Sequence, residues 1–286
     1  MKKIIFLYAI TILLVITAVV GTVSKKSGEN VSTKDIVLLT SDYEALVDTI
    51  TIKNGDTLIL SYTESGYIGA SRDLTFPVNN AKISELFSLI TSPKKAQTVK
   101  NTSNTSSSST FLDGIELNFF SFFNNEIYSS LVFGETDFSG TMRYVKSTKN
   151  DDIYLVSDDY YSFLETDPRA WLDSKLIPSF ILKDDIASIS LTNSEITTEY
   201  LVADTVFDEV LENLFSLQSS NIVSPLAIKK SPLHTIAIEF SNGGLELIDI
   251  FVNDETYIVV PQTKQLFYGL EISQWTYEKL IKSFQI

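Results

Sequence analysis

Through much of the chain, apolar positions recur at every second residue. Ile50 and Ile52 alternate with threonines, Asn54-Gly55-Asp56 supplies a turn, and Leu58 and Leu60 continue at the same period. That pattern predicts a β-hairpin. After Pro77 the spacing changes. Asn79-Asn80 offer an N-cap, and Ile83, Leu86, Phe87 and Ile90 share one face of a helix that Pro93 closes. Strands resume at Ile115, Leu117 and Phe119, and a turn at Asn124-Asn125 leads into 127–133. Residues 142–145 and 153–156 form a further strand pair, and Ser157-Asp158-Asp159 opens a short helix carrying Tyr160, Phe163 and Leu164. Residues 101–110 contain no apolar side chain and read as a loop.

The second half repeats this order. Residues 47–54 line up with 186–193, and the helix face Ile83, Leu86, Phe87, Ile90 lines up with Phe207, Val210, Leu211, Leu214, with Asp204 as its cap. Ile115, Leu117 and Phe119 fall opposite Ile236, Ile238 and Phe240, and Tyr144 and Tyr154 opposite Tyr257 and Phe267. A closing helix after Ser273 presents Tyr277, Leu280, Ile281 and Phe284. The expectation is an α+β chain of two tandem units, 47–180 and 181–286, each an antiparallel sheet with a helix packed on one face.

The N-terminus follows a third pattern. From Ile4 to Val23 there is no charged residue, and Lys2-Lys3 and Lys25-Lys26 flank the run. At 1.5 Å per residue this stretch spans roughly 30 Å, the thickness of a bilayer's hydrocarbon core. It predicts a transmembrane helix within residues 1–23, its ends at Ile4 and Val23, followed by a juxtamembrane tether over 24–46. A cleaved signal peptide is the rival reading. The expected placement is a single-pass cell-membrane protein, in contact with lipid through this helix, whose C-terminal domain is extracytoplasmic.

Composition narrows the chemistry. The net charge is −14. Residues 1–30 carry four lysines against Glu29, so the acidic excess lies beyond them. Such a chain lacks the basic face that nucleic acid requires. With no cysteine, disulfides and thiolate-bound metals are excluded. The single His234 has no partner at metal-ligand spacing and reads as a strand-edge residue. Ser92-Pro93-Lys94-Lys95 matches Ser-x-x-Lys, but Ser92 ends a helix where that chemistry needs it to open one. The pairs Asp151-Asp152, Asp158-Asp159 and Asp184-Asp185 offer a cation site or an acid/base pair; at turns and helix starts they serve equally as caps. No Gly-rich phosphate loop is present, and no cofactor or metal is expected.

Phe119-Phe120-Ser121-Phe122-Phe123 places aromatics on both faces of one strand. A strand with one wet face alternates apolar with polar. Both faces are therefore buried within the chain, or one meets a partner or ligand. Phe119, Phe120, Phe122 and Phe123 are the candidate contact surface.

Residues 153–177 (IYLVSDDYYSFLETDPRAWLDSKLI), followed by 185–191 (DIASISL), resemble the domain-of-unknown-function 4340 family. Its pattern has a strand ending in a hydrophobic-Tyr-hydrophobic run, a helix and a charged step, here Asp173-Ser174-Lys175-Leu176. The chain departs from it at 67–77, where a Trp-to-Pro segment is usual, and at 111–114. The resemblance implies an N-terminal membrane helix, repeated strand–helix–strand units, and for some members an auxiliary role in gliding-type ABC transporters. It brings no catalytic residues. The expected function is a non-enzymatic, membrane-anchored, extracytoplasmic accessory or scaffold protein, with a membrane-protein partner such as a transporter complex. The alternative is a ligand-binding module that uses an aromatic surface, and a hydrolase built on the acidic pairs is a third reading.

Overall fold

The computed structural model describes residues 33–99, 113–121, 127–147, 153–193, 196–219, 221–228 and 230–285. Within these, seventeen strands form two antiparallel sheets. The first has the order β1 (Thr33–Ile36), β6 (Lys94–Val99), β10 (Ile153–Ser157), β9 (Met142–Ser147), β8 (Ile127–Thr136), β7 (Ile115–Ser121), β2 (Val47–Asn54), β3 (Asp56–Thr63), β4 (Gly66–Ser71), β5 (Leu74–Pro77). The second has β12 (Thr197–Leu201), β11 (Ile186–Thr192), β14 (His234–Phe240), β15 (Leu245–Asn253), β16 (Thr256–Pro261), β17 (Gly269–Ile272), β13 (Asn221–Val223). Three short helices accompany them: α1 (Asn80–Thr91), α2 (Phe207–Phe215) and α3 (Gln274–Ser283).

This corrects the expected α+β class. Strands hold 49% of the described residues, against three short helices, so the described part of the protein is mainly antiparallel β. The helix faces have the expected period, but four segments to which the periodicity assigned no element form β4, β5, β6 and β12. The membrane assignment is corrected as well: no helix among the described residues is long and apolar enough to cross a membrane. The stretch from Ile4 to Val23 lies outside the described residues. The single-pass anchor and the extracytoplasmic placement that depended on it are withdrawn. Part of the expected tether is ordered structure, since Ile36 and Leu39 are buried in the core.

Seven strands of each sheet stand in the same order. Read from one edge, β6-β10-β9-β8-β7-β2-β3 of the first matches β13-β17-β16-β15-β14-β11-β12 of the second. Each sheet also carries an irregularity at the matching place, between Val47 and Thr49 on β2 and between Ile186 and Ser188 on β11. The ladders revise the alignment of β7. Ile50 faces Phe119, and Ile189 faces Ile238. Phe119 therefore corresponds to Ile238, and Ser121, not Phe119, to Phe240.

Local chemistry explains the elements. Gly55 takes φ +71° in the β2–β3 turn, a conformation that costs a side-chain-bearing residue energy. Ile50, Ile52, Leu58 and Leu60 have no solvent exposure, and burial of each contributes roughly 1.5–3 kcal/mol. The Asn79 side chain accepts from Ala81 N at 3.0 Å and caps α1. The Ser92 hydroxyl donates to Ser88 O at its other end. Asp204 does not cap α2; its carboxylate accepts from Leu201 N at 2.7 Å and closes the turn before the helix. The expected helix after Ser157 is reduced to a 3-10 turn, Tyr161–Phe163.

The first sheet has three strands that the second lacks. One of these, β5, joins the two halves. Thr75 and Phe267 exchange both backbone hydrogen bonds, at 3.0 and 2.7 Å. The segment after β10 sews along the same line: Asp173 N donates to Pro77 O, Asn79 N to Trp171 O, and Ser219 N to Ser174 O. One hydrophobic core accordingly runs through both sheets. Close packing holds the joining hairpin, since a Cβ on Gly69 would sit 2.5 Å from the Phe76 ring.

Candidate functional site

The seam between the sheets is where binding geometry appears. The Thr75–Phe267 pair divides it, leaving a cleft at either end of β4. The cleft beside Ser65, Tyr67 and Ile68 has a volume of about 400 Å³. Pro77, Phe180 and Leu266 complete an apolar floor, while Glu246, Gln262, Thr263 and Lys264 supply polar groups. The Thr263 hydroxyl donates to Glu246 at 3.1 Å and fixes the loop after β16 against β15. Behind this end, the Tyr268 phenol is fully buried. Burial, with the carboxylates of Asp173 and Glu246, pushes its pKa up and keeps it neutral.

The cleft at the other end, beside Arg72 and Arg169, is about 510 Å³ and more polar. Its charges answer one another. Arg72 lies 2.5 Å from Asp56, and Arg169 pairs with Asp167. The Asp73 carboxylate accepts from the Ser224 hydroxyl at 2.6 Å, which holds its pKa below the ordinary value. Asp167 is lowered by its hydrogen bond to Arg169. Each guanidinium thus has a carboxylate partner within the chain, which leaves little drive to take up an anion.

The aromatic run divides between the two faces of β7. Phe119 is fully buried against Phe87 of α1, ring centroids 6.3 Å apart. Phe120 is half-buried on the opposite face, where its register partner Ile127 is exposed. Phe122 and Phe123 lie outside the described residues, as do Asp151-Asp152 and the loop 101–110. The seam cleft draws on other aromatics, Tyr67 and Phe180. Neither stands out in sequence, because the cleft is assembled from β4, β15 and two connecting segments.

The remaining chemical candidates have structural partners. Asp158 pairs with Arg143, and Asp184-Asp185 lie in a 3-10 turn before β11. No group of three acidic or histidine side chains able to hold a metal occurs among the described residues. His234 stands at the start of β14, its Nε2 3.0 Å from the Tyr277 hydroxyl. Tyr277 stacks on Tyr257 at 3.7 Å, while His234 Nδ1 is buried without a partner. Burial lowers the His234 pKa.

A pH dependence follows from that depression. The folded state disfavours the imidazolium, so the neutral ring's contribution is complete above the unfolded value near 6.5 and is lost as pH falls through the lower folded value. Between pH 7 and 5 the thermal midpoint of the protein should fall more steeply than that of His234→Phe. Parallel slopes would remove His234 as the cause.

Comparison of the chain with protein-family models, with curated proteins and with solved structures gave no match.

Proposed function

We propose that the protein is a non-enzymatic accessory or scaffold protein that holds a protein partner at the seam of its two sheets. The observation that carries this reading is the cleft at Ser65–Tyr67–Ile68, where an apolar floor and a polar rim are held on two sheets sharing one core. A site built on rigid elements presents its groups with little ordering cost on binding. The use of His234 in packing supports the non-enzymatic half, since one ring nitrogen contacts Tyr277 and the other is enclosed. The family resemblance supports an assembly of the transporter type as the partner class. Purification of the tagged full-length chain from its native cells under mild conditions should recover a stoichiometric protein partner. A monodisperse monomer without one would contradict the proposal.

A second reading, a binder of a small molecule or polymer, is favoured by the aromatic groups Tyr67 and Phe180 at the same cleft. A bound ligand stabilises the fold by mass action. A thermal-shift screen against sugars and small metabolites separates the two readings, because the scaffold reading expects no compound to raise the midpoint.

A further inference from the structure

We infer that two copies of the chain pair edge to edge through β12, in a register centred on Thr198, so that their second sheets run on as one. The inference stands apart from the seam cleft and from the scaffold reading. It starts at β12, which ends its sheet and pairs with β11 alone among the described strands. Main-chain groups of successive residues point to opposite sides of a strand. Asn193 N donates to Ile196 O and Val202 N to Ala187 O, each at 3.0 Å, so Thr198 and Tyr200 turn their groups toward β11. Those of Thr197, Glu199 and Leu201 point outward. Leu201 is closed within the chain, its N–H by the Asp204 carboxylate at 2.7 Å and its carbonyl by Asp204 N at 2.8 Å. The N–H and C=O of Thr197 and Glu199 have no partner among the described residues. Such an edge is a template for another strand.

The first sheet shows what this edge takes. Ile50 faces Leu60, and Ile189 faces Tyr200, so β3 is the counterpart of β12 and Ile59 that of Glu199. Ile59 is paired with Ala70 of β4. The second sheet has no counterpart of β4 or β5, and apolar residues flank the bare edge: Ile196, Leu201 and Val202 are 62%, 50% and 65% exposed. A second copy supplies the matching strand. Antiparallel pairing about a twofold axis at Thr198 sets Thr197 of each copy opposite Glu199 of the other, and every open N–H and C=O of both is used. Thr198 then meets its own copy, and Ile196 stands against Tyr200, whose hydroxyl is fixed by donating to Phe284 O at 3.2 Å. These are self-complementary contacts of the kind a closed twofold interface requires. Centring on Glu199 instead would oppose two carboxylates and set Thr197 against the closed groups of Leu201. Centring on Thr197 would carry Glu199 past the start of the facing strand. The net charge of −14 on each copy opposes approach, so salt should strengthen the association.

Sedimentation equilibrium of the full-length chain tests the inference. A reversible monomer–dimer equilibrium is expected, with a Kd of about 10–100 µM, because two five-residue strands bury less than a standard interface. Glu199→Pro deletes an outward N–H and leaves the bonds to β11 in place. It should weaken the dimer at least about tenfold. Thr197→Lys sets an ammonium opposite Glu199 at both ends of the pairing and should tighten the dimer about threefold or more, a gain that misfolding cannot produce. The chain has no cysteine, so an introduced thiol reports the register. Oxidation of Thr198→Cys should give a covalent dimer, whereas Glu199→Cys, set two residues away from its counterpart, should not. A monomer up to about 500 µM, a dimer indifferent to Glu199→Pro and Thr197→Lys, or equal cross-linking at the two positions would overturn the inference. None of these outcomes bears on recovery of a partner at the seam, so the scaffold reading is tested separately.

Discussion

Trp171→Ala is expected to destabilise the protein by about 4 kcal/mol, within the range for removing a large buried aromatic. Trp171 has no solvent exposure and stands where the connecting segment meets α1. Its indole nitrogen donates to Glu165 O at 2.8 Å. Its ring receives Lys82 Nζ at 4.6 Å from the centroid and meets Phe163 edge-on. Its carbonyl accepts from Asn79 N at 2.8 Å, the residue that caps α1. Alanine would leave a cavity, an unpaired carbonyl at Glu165 and an unshielded ammonium at Lys82, whose pKa burial already lowers. Phenylalanine refills most of the volume but restores no hydrogen bond, so Trp171→Phe should cost clearly less, about 1–2 kcal/mol. Chemical denaturation of both variants checks the order; equal losses would show that volume is not the cause.

The second large effect is at Arg143. Its guanidinium grips Asp158 at two points, Nε to Oδ1 at 2.5 Å and Nη2 to Oδ2 at 3.1 Å, and donates through Nη1 to Gly134 O at 2.7 Å. The two side chains are 12% and 17% exposed. The pair ties β9 to the turn after β10, where Asp158 N also donates to Thr141 O. Removing one member of a buried pair leaves an uncompensated charge, so Arg143→Met should cost about 3–4 kcal/mol. Adding Asp158→Leu should recover most of that loss, because two apolar groups of similar size need no pairing. A double variant no more stable than Arg143→Met alone would place the cost elsewhere, at Gly134 O.

These two residues also show what the sequence could convey. Period-two and helical spacing identified Ile50, Ile52, Leu58 and Leu60 and the faces of α1 and α2, all buried as expected. Those signals are local. The class was misjudged because β4 (GYIGAS), β6 (KKAQTV) and β12 (TTEYL) mix small and polar residues with one or two apolar ones, too few for a period-two face to stand out. The alignment of β7 with β14 slipped because Phe119 and Phe240 match by type, whereas register follows the partners Ile50 and Ile189. Asp158 looked like a cap and is the partner of Arg143, a contact decided by the β9–β10 ladder. The seam was hidden for a stronger reason. Thr75 and Phe267 join through backbone groups, and backbone pairing between distant segments leaves no side-chain pattern to read.

The central claim is that the seam is the working surface of a scaffold protein. Hydrogen exchange on the full chain, alone and bound to its co-purified partner, tests it most directly, because amides that gain a hydrogen-bond partner exchange more slowly. The account predicts protection at the cleft-lining segments 65–68 and 262–266, with little change along β12 or β1. Protection confined to other regions, with exchange at 65–68 and 262–266 unaltered, would contradict it.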